Sequence, residues 1–242
     1  MTRLEIRTLT RKKLGETSSA FWTDDEIDTY INLGQSDIAQ RTFCLRKTGY
    51  ISTTEVVANS SAEIPSEWTL STNFSKLVAV TGVFFHQNGR NWVGLNPMLK
   101  VDLDLEYNGW RDAVGRTLTE PITYNYECQP GVPNWYWWEL EEDKIGIYPP
   151  CNADNATANN LMVDYAYDTT DMSSDSATPQ IPRRLHLAIT EFATATGFET
   201  RGLQDKANDA WEKYFARLKD YHINKLRGDE DADMMMKPHR SV

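Results

Sequence analysis

Phe21-Trp22-Thr23-Asp24-Asp25-Glu26-Ile27 sets the architecture of this chain, because it fixes where a long helix starts and which face it buries. Thr23 is placed to cap the backbone amides of the turn that follows, while Glu26, three residues on, reaches back to the amide of Thr23. Trp22, just ahead of the cap, can staple onto Ile27. Downstream, Ile27, Tyr30, Ile31, Gly34, Ile38 and Leu45 recur at three- and four-residue steps, the period of one helix face. Gly34 sits in that stripe, so a neighbouring helix can approach closely there. Upstream, Leu4, Ile6, Leu9 and Leu14 give a shorter helix that Gly15 stops by taking the left-handed conformation.

The far end of the chain repeats the helical period. Ile181-Pro182-Arg183 restarts a helix, with Pro182 in a first-turn position where its missing amide hydrogen is not needed. Leu185, Ile189, Phe192 and Thr196 line one side, and Gly197 or Gly202 closes the segment. The last helix carries Ala207, Ala210, Trp211, Tyr214, Phe215, Leu218, Tyr221 and Leu226, and Gly228 is expected to end it.

Between the two helical ends the period changes to that of strands. Ile51 to Val57 is β-branched, Ile64-Pro65 breaks it, and Leu77 to Phe85 runs Leu-Val-Ala-Val-Thr-Gly-Val-Phe-Phe before an Asn88-Gly89 turn into Trp92-Val93. Pro97 to Trp110 is read as a helix, although its alternation fits a strand too. Trp135-Tyr136-Trp137-Trp138-Glu139-Leu140 turns through Glu141-Glu142-Asp143 into Lys144-Ile145-Gly146-Ile147-Tyr148, a hairpin with Ile145 and Ile147 on one face. Pro149-Pro150 ends it, Leu161 to Tyr167 supplies one more strand, and the polar run from Asp168 to Gln180 reads as an exposed linker.

With 242 residues, 40% of them hydrophobic, the chain can bury a core of one large or two small domains. Its 35 acids against 25 bases give a formal charge of -10, which disfavours general adhesion to nucleic acid or to an anionic membrane. Met1 to Lys13 has no continuous apolar stretch of the kind a secretion signal or membrane span requires, so a cytosolic origin is expected. Cys44, Cys128 and Cys151 are odd in number and widely spaced, which fits reduced thiols rather than a disulfide framework or a zinc knuckle.

Residues with catalytic or metal-ligand spacing do not come together in the sequence. Asp102, Asp104, Glu106 and Asn108-Gly109 resemble a calcium loop, but counting from Asp104 puts Gly115 where a bidentate glutamate belongs. His86, His186, His222 and His239 lie far apart, and GxSxG, GxGxxG and GxxxxGK are missing. We therefore expect no catalytic residues, no cofactor and no metal. The tryptophans of residues 135–138, with Trp92 and Trp110, are either a stacking platform for sugars or bases or, as large aromatics in short strands usually are, packing and interface residues. The end of the chain, from Asp229, has an acidic cluster, then Met234-Met235-Met236, then bases. It reads equally as a solvated tail and as an adaptable apolar plug that orders against a partner.

In order along the chain, Leu14-Gly15-Glu16-Thr17, Phe21 to Ile27, Tyr30-Ile31-Asn32-Leu33-Gly34-Gln35, Ile64-Pro65, Gly131-Val132-Pro133, Ile145-Gly146-Ile147-Tyr148-Pro149-Pro150 and Ile181-Pro182 resemble the head-to-tail adaptors of tailed bacteriophages. Each piece is weak alone, and their order is more specific. The stretch from Glu67 to Pro133 is longer than a minimal adaptor needs, and nothing after Gly228 matches a motif. The resemblance implies a homo-oligomeric ring, dodecameric, that binds a portal protein on one side and a tail nozzle or tube on the other. It also implies that DNA passes through the channel without sequence-specific binding, that no membrane is involved, and that the protein resides in the virion at the head-tail junction. By the same resemblance the carboxyl-terminal segment docks into the portal, through Lys225, Met234, Met235, Met236, Lys237 and His239.

The expected fold is α+β. Residues 1–48 with 180–228 form a helical bundle serving oligomerisation, 49–179 form an inserted antiparallel β-rich domain, and 229–242 form a flexible or portal-docking tail. Trp137 and Trp138 are the interface candidates. Two rivals are a carbohydrate- or receptor-binding tail or fibre module using the tryptophan hairpin, and a hydrolase built on a carboxylate pair among Asp102, Asp104 and Glu106.

Overall fold

The structure, a computed structural model, describes residues 1–16, 21–51, 67–86, 92–106, 133–148 and 161–236, the last twelve by their backbone alone. Along the chain the elements run α1 (Arg3–Leu14), α2 (Asp24–Thr42), β1 (Arg46–Ile51), β2 (Glu67–Thr69), α3 (Leu70–Asn73), β3 (Leu77–His86), β4 (Trp92–Gly94), β5 (Asn96–Pro97), α4 (Lys100–Glu106), β6 (Trp135–Glu139), β7 (Lys144–Tyr148), β8 (Leu161–Tyr167), α5 (His186–Thr200) and α6 (Gln204–Met236). The fold is α+β, as expected. It divides into a helical unit, Met1–Leu45 with Asp168–Val242, and a β unit, Arg46–Tyr167.

In the helical unit both early helices open on reciprocal caps. Thr23 Oγ1 accepts from the amide of Glu26 at 3.2 Å and the amide of Thr23 donates to Glu26 Oε2 at 2.7 Å; Thr2 and Glu5 repeat the arrangement on α1. Gly15, at φ +79°, closes α1 in the left-handed conformation. The α2 stripe is fully buried at Ile27, Ile31 and Ile38, each contributing about 1.5–3 kcal/mol. Against it lies α5, the central helix, which packs on α1, α2 and α6 and buries Ala188, Ile189, Ala193 and Ala195. The close approach expected at Gly34 is there: a Cβ on it would lie 3.0 Å from Cδ1 of Phe192 on α5. Phe192 meets Trp211 and Tyr214 of α6 edge to face, and Tyr214 donates a hydrogen bond to Asp37.

Charge also holds this unit together. Arg3, Arg7 and Arg11 recur every four residues on α1, and Arg7 and Arg11 are buried. Arg7 grips Asp28 of α2 with two bonds, Nε to Oδ1 at 2.7 Å and Nη2 to Oδ2 at 2.6 Å, and reaches Asp175 at 2.6 Å. Arg11 donates to Asp24 at 2.6 Å and to the Trp22 carbonyl at 3.0 Å. These are charge-assisted, forked contacts, and Asp28 holds the Arg7 guanidinium above its ordinary range against the opposing effect of burial.

The segment expected as an exposed linker, 168–180, is not one over its first half. Thr169 and Met172 are buried, Gln35 donates to the Thr170 carbonyl at 2.9 Å, and the Met172 amide donates to Asn32 at 2.9 Å. Its backbone there supplies hydrogen-bond partners to Gln35 and Asn32 of α2. Gly228 likewise does not end the last helix, and the α6 backbone runs on to Met236. A glycine inside a helix costs about 1 kcal/mol, which flanking turns can absorb when no left-handed residue follows.

The β unit holds two four-stranded sheets, β1-β8-β3-β4 and β2-β7-β6-β5, antiparallel except where β5 pairs parallel to β6. Alternate residues of both sheets share one apolar cluster, including Ile51, Val83, Phe85, Ile145, Ile147 and Val163. The expected hairpin is β6-β7, in register from Trp135 opposite Tyr148 to Glu139 opposite Lys144. Asp143, at φ +55°, closes it, and its carboxylate accepts from the Ser71 amide at 2.8 Å to anchor α3. The helix read over 97–110 begins later, at Lys100, after β5. Asn88-Gly89, Ile64-Pro65, Pro149-Pro150 and Trp110 lie outside the described residues.

Candidate interaction surfaces

The β6-β7 hairpin places its aromatic side chains on two faces. Tyr136 joins the cluster between the sheets with Trp138 packed against it, whereas Trp137 turns the other way onto Leu103 of α4 and Tyr148. Trp137 is 2% exposed. Gly146, its cross-strand partner, makes room for it, since a Cβ there would fall 2.4 Å from the indole. Of the two interface candidates only Trp138 keeps surface; Trp137 packs inside the β unit.

Over Trp137 sits Lys100, its Nζ 4.7 Å from the ring centroid and 3.2 and 2.7 Å from Glu139 and Glu142. Burial depresses the ammonium, but the two carboxylates outweigh it and hold Lys100 above its ordinary value. A tryptophan face and two carboxylates thus hold a cation inside the unit.

Beside this lies a pocket of about 260 Å³ lined by Met98, Leu99, Asp102, Glu106, Tyr136 and Trp138, together with Pro97. It opens where β5 gives out: β6 pairs with β5 only at Trp135 and Tyr136, and after Pro97 the chain turns into α4. Asp102 and Glu106, four apart on α4, share the helix face that borders it. Two of the three carboxylates considered for hydrolysis therefore do meet in one cleft, without a histidine, serine, threonine or cysteine among the described residues of its lining. The calcium-loop reading fails on backbone grounds, because Asp102, Asp104 and Glu106 lie on a helical turn and not in an open loop. Among the described residues no group of His, Cys, Asp or Glu is arranged to hold a metal ion, and no helix is long and apolar enough to cross a membrane.

On the helical unit, large apolar side chains remain exposed at Leu33, Leu187, Phe215 and Ile223. Among the described side chains of α6 the last buried one is Leu218, and the helical backbone from 219 to Met236 continues for about 27 Å beyond it at 1.5 Å per residue. Lys225, Met234, Met235 and Met236 lie on the part of this stretch whose backbone alone is described; Lys237 and His239 lie outside the described residues.

Sequence reasoning missed the arginine ladder of α1 and the Asp102–Glu106–Trp138 pocket. The first was visible as basic residues at 3, 7 and 11 facing acids at 24 and 28, a four-residue charge period on two adjacent helices. The second depends on where β5 stops, for which no local signal exists. No curated protein matches the chain. A family model described as SU10 adaptor protein matches residues 1–241, both units and the α6 extension included. The chain belongs to the SU10 adaptor protein family, a family of bacteriophage adaptors.

Proposed function

We propose that this structural bacteriophage protein assembles as a homo-oligomeric, dodecameric ring at the head-tail junction of the virion. The ring binds the portal protein on one side and a tail nozzle or tube protein on the other, and it continues the DNA channel. The observation that carries this reading is the family match over residues 1–241. Physical features agree with it. A ring needs two faces complementary to each other, and Leu33, Leu187, Phe215 and Ile223 are large apolar side chains that the helical unit leaves exposed. A subunit charge of -10 suits a channel that releases DNA, because a basic lumen would hold the phosphates and slow exit.

The carboxyl-terminal segment is assigned to the portal, with Lys225, Met234, Met235, Met236, Lys237 and His239 as its contacts. Methionines adapt to irregular grooves, which suits an arm that orders on docking. The test is the mass of the purified chain alone and mixed with isolated portal rings. A dodecamer bound to portal is expected, and deletion of residues 229–242 leaves the bundle folded but weakens attachment. A chain that stays monomeric in the presence of portal rings refutes the ring, and unchanged attachment after the deletion refutes the arm.

A further inference from the structure

We propose that the pocket between α4 and β6 receives a cationic side chain, arginine or lysine, from a protein partner. The chain carries its own precedent one residue away, where Trp137, Glu139 and Glu142 hold the ammonium of Lys100. Trp138, Asp102 and Glu106 repeat the same set, one indole and two carboxylates, with no lysine or arginine among the described residues of the lining. Neither Asp102 nor Glu106 has an ion pair among the described residues, whereas the nearby Glu139 and Glu142 are both engaged.

Size restricts the occupant. At about 260 Å³ the pocket falls below the roughly 300–1,000 Å³ of small-molecule sites, and it suits one long side chain. Met98 and Leu99 can flank an aliphatic stem, and the carboxylates on the α4 rim meet the charged head. The partner is basic at this contact, and a subunit of charge -10 gains from such complementarity in both encounter rate and orientation. The β6 strand runs past its pairing with β5 at Trp138 and Glu139, where among the described residues no strand lies on that side, so an extended partner segment can lie along it while its basic residue enters the pocket.

The inference is independent of ring assembly and is tested on the full chain alone. Protein labelled with 5-fluorotryptophan is titrated with argininamide, lysinamide, norleucinamide and maltose, the Trp138 fluorine resonance being assigned from Trp138→Phe. A saturable shift of Trp138 with either cationic amide is expected, with none from norleucinamide or maltose. The double variant Asp102→Asn, Glu106→Gln should weaken it roughly tenfold or more, while an unmoved Trp137 resonance shows that the unit remains folded. Three results overturn the proposal: no Trp138 shift with either cation, an equal or larger shift with norleucinamide or maltose, or a cation response that survives in the double variant. If the double variant does not fold, addition of salt to the native chain replaces it, and a cation response unaffected by salt overturns the proposal equally.

Discussion

Replacing Asp28 by asparagine tests how the helical unit is held together. The Asp28 side chain is 11% exposed and that of Arg7 9%, with two bonds of 2.7 and 2.6 Å between them. The substitution preserves shape and one acceptor but leaves a guanidinium in a site it cannot leave, because Arg7 cannot deprotonate. Removing one partner of a buried pair costs about 3–5 kcal/mol. Asp175 still reaches Arg7 at 2.6 Å and is itself half exposed, so partial compensation is expected. The loss therefore falls near the lower end, about 3 kcal/mol, and the melting temperature of the helical unit drops by roughly 10 °C. The assay is thermal and urea unfolding followed by helical circular dichroism, with the β unit monitored separately by the Trp138 fluorine resonance of protein labelled with 5-fluorotryptophan. The paired variant Arg7→Met, Asp28→Leu is expected to recover most of the loss, since an apolar replacement removes both desolvated charges together. A single-variant loss under about 1 kcal/mol would class the contact with surface ion pairs and refute the reasoning. So would a paired variant as unstable as the single one.

Gly146→Ala drives a methyl group into the Trp137 indole and is expected to destabilise the β unit by about 1–3 kcal/mol, seen as a lower urea midpoint of the Trp138 fluorine resonance with the helical transition unchanged. Thr23→Ala removes the side-chain cap of α2 and should lower the stability of the helical unit by about 1 kcal/mol, while Thr23→Ser restores it. His186 lies buried, its Nε2 3.1 Å from the Ile181 carbonyl, and burial pushes its imidazole below the ordinary value. The folded state thus prefers the neutral ring, so its contribution is whole above the unfolded value of about 6.5. It declines as pH falls from there through the depressed folded value. Melting temperature plotted against pH should slope downward below about 6.5, and His186→Gln should flatten that limb.

Much of this architecture was legible because its signals are local. The Thr23 and Glu26 box, the stop at Gly15, the opening at Gly34 and the turn into Lys144 each sit within a few residues of what they determine. What was not legible depends on distance along the chain. β1 pairs with β8, and β3 pairs with β8 across some eighty residues, from Leu77 opposite Tyr167 to Phe85 opposite Leu161. Apolar periodicity carries no signal for a buried charge, and Arg7 and Arg11 are both buried. The polar composition of 168–180 likewise hides Thr169, which is buried, and the Thr170 carbonyl, which accepts from Gln35 of α2. In the candidate pocket the residue types were on view, Trp138 beside a row of acids at 102, 104 and 106. Which of the acids meet the indole follows only from the helical phase of α4, which puts Asp102 and Glu106 on one side.

The register of β1 and β8 has an evolutionary side. Arg46 lies opposite Ala166, so the chain enters and leaves the β unit on two hydrogen-bonded strands about 5 Å apart. An insert joined to its host by two adjacent strands can be exchanged for another cassette without moving the host's helices. Chains built on this plan can therefore differ in the middle while the capped helices at either end stay as they are.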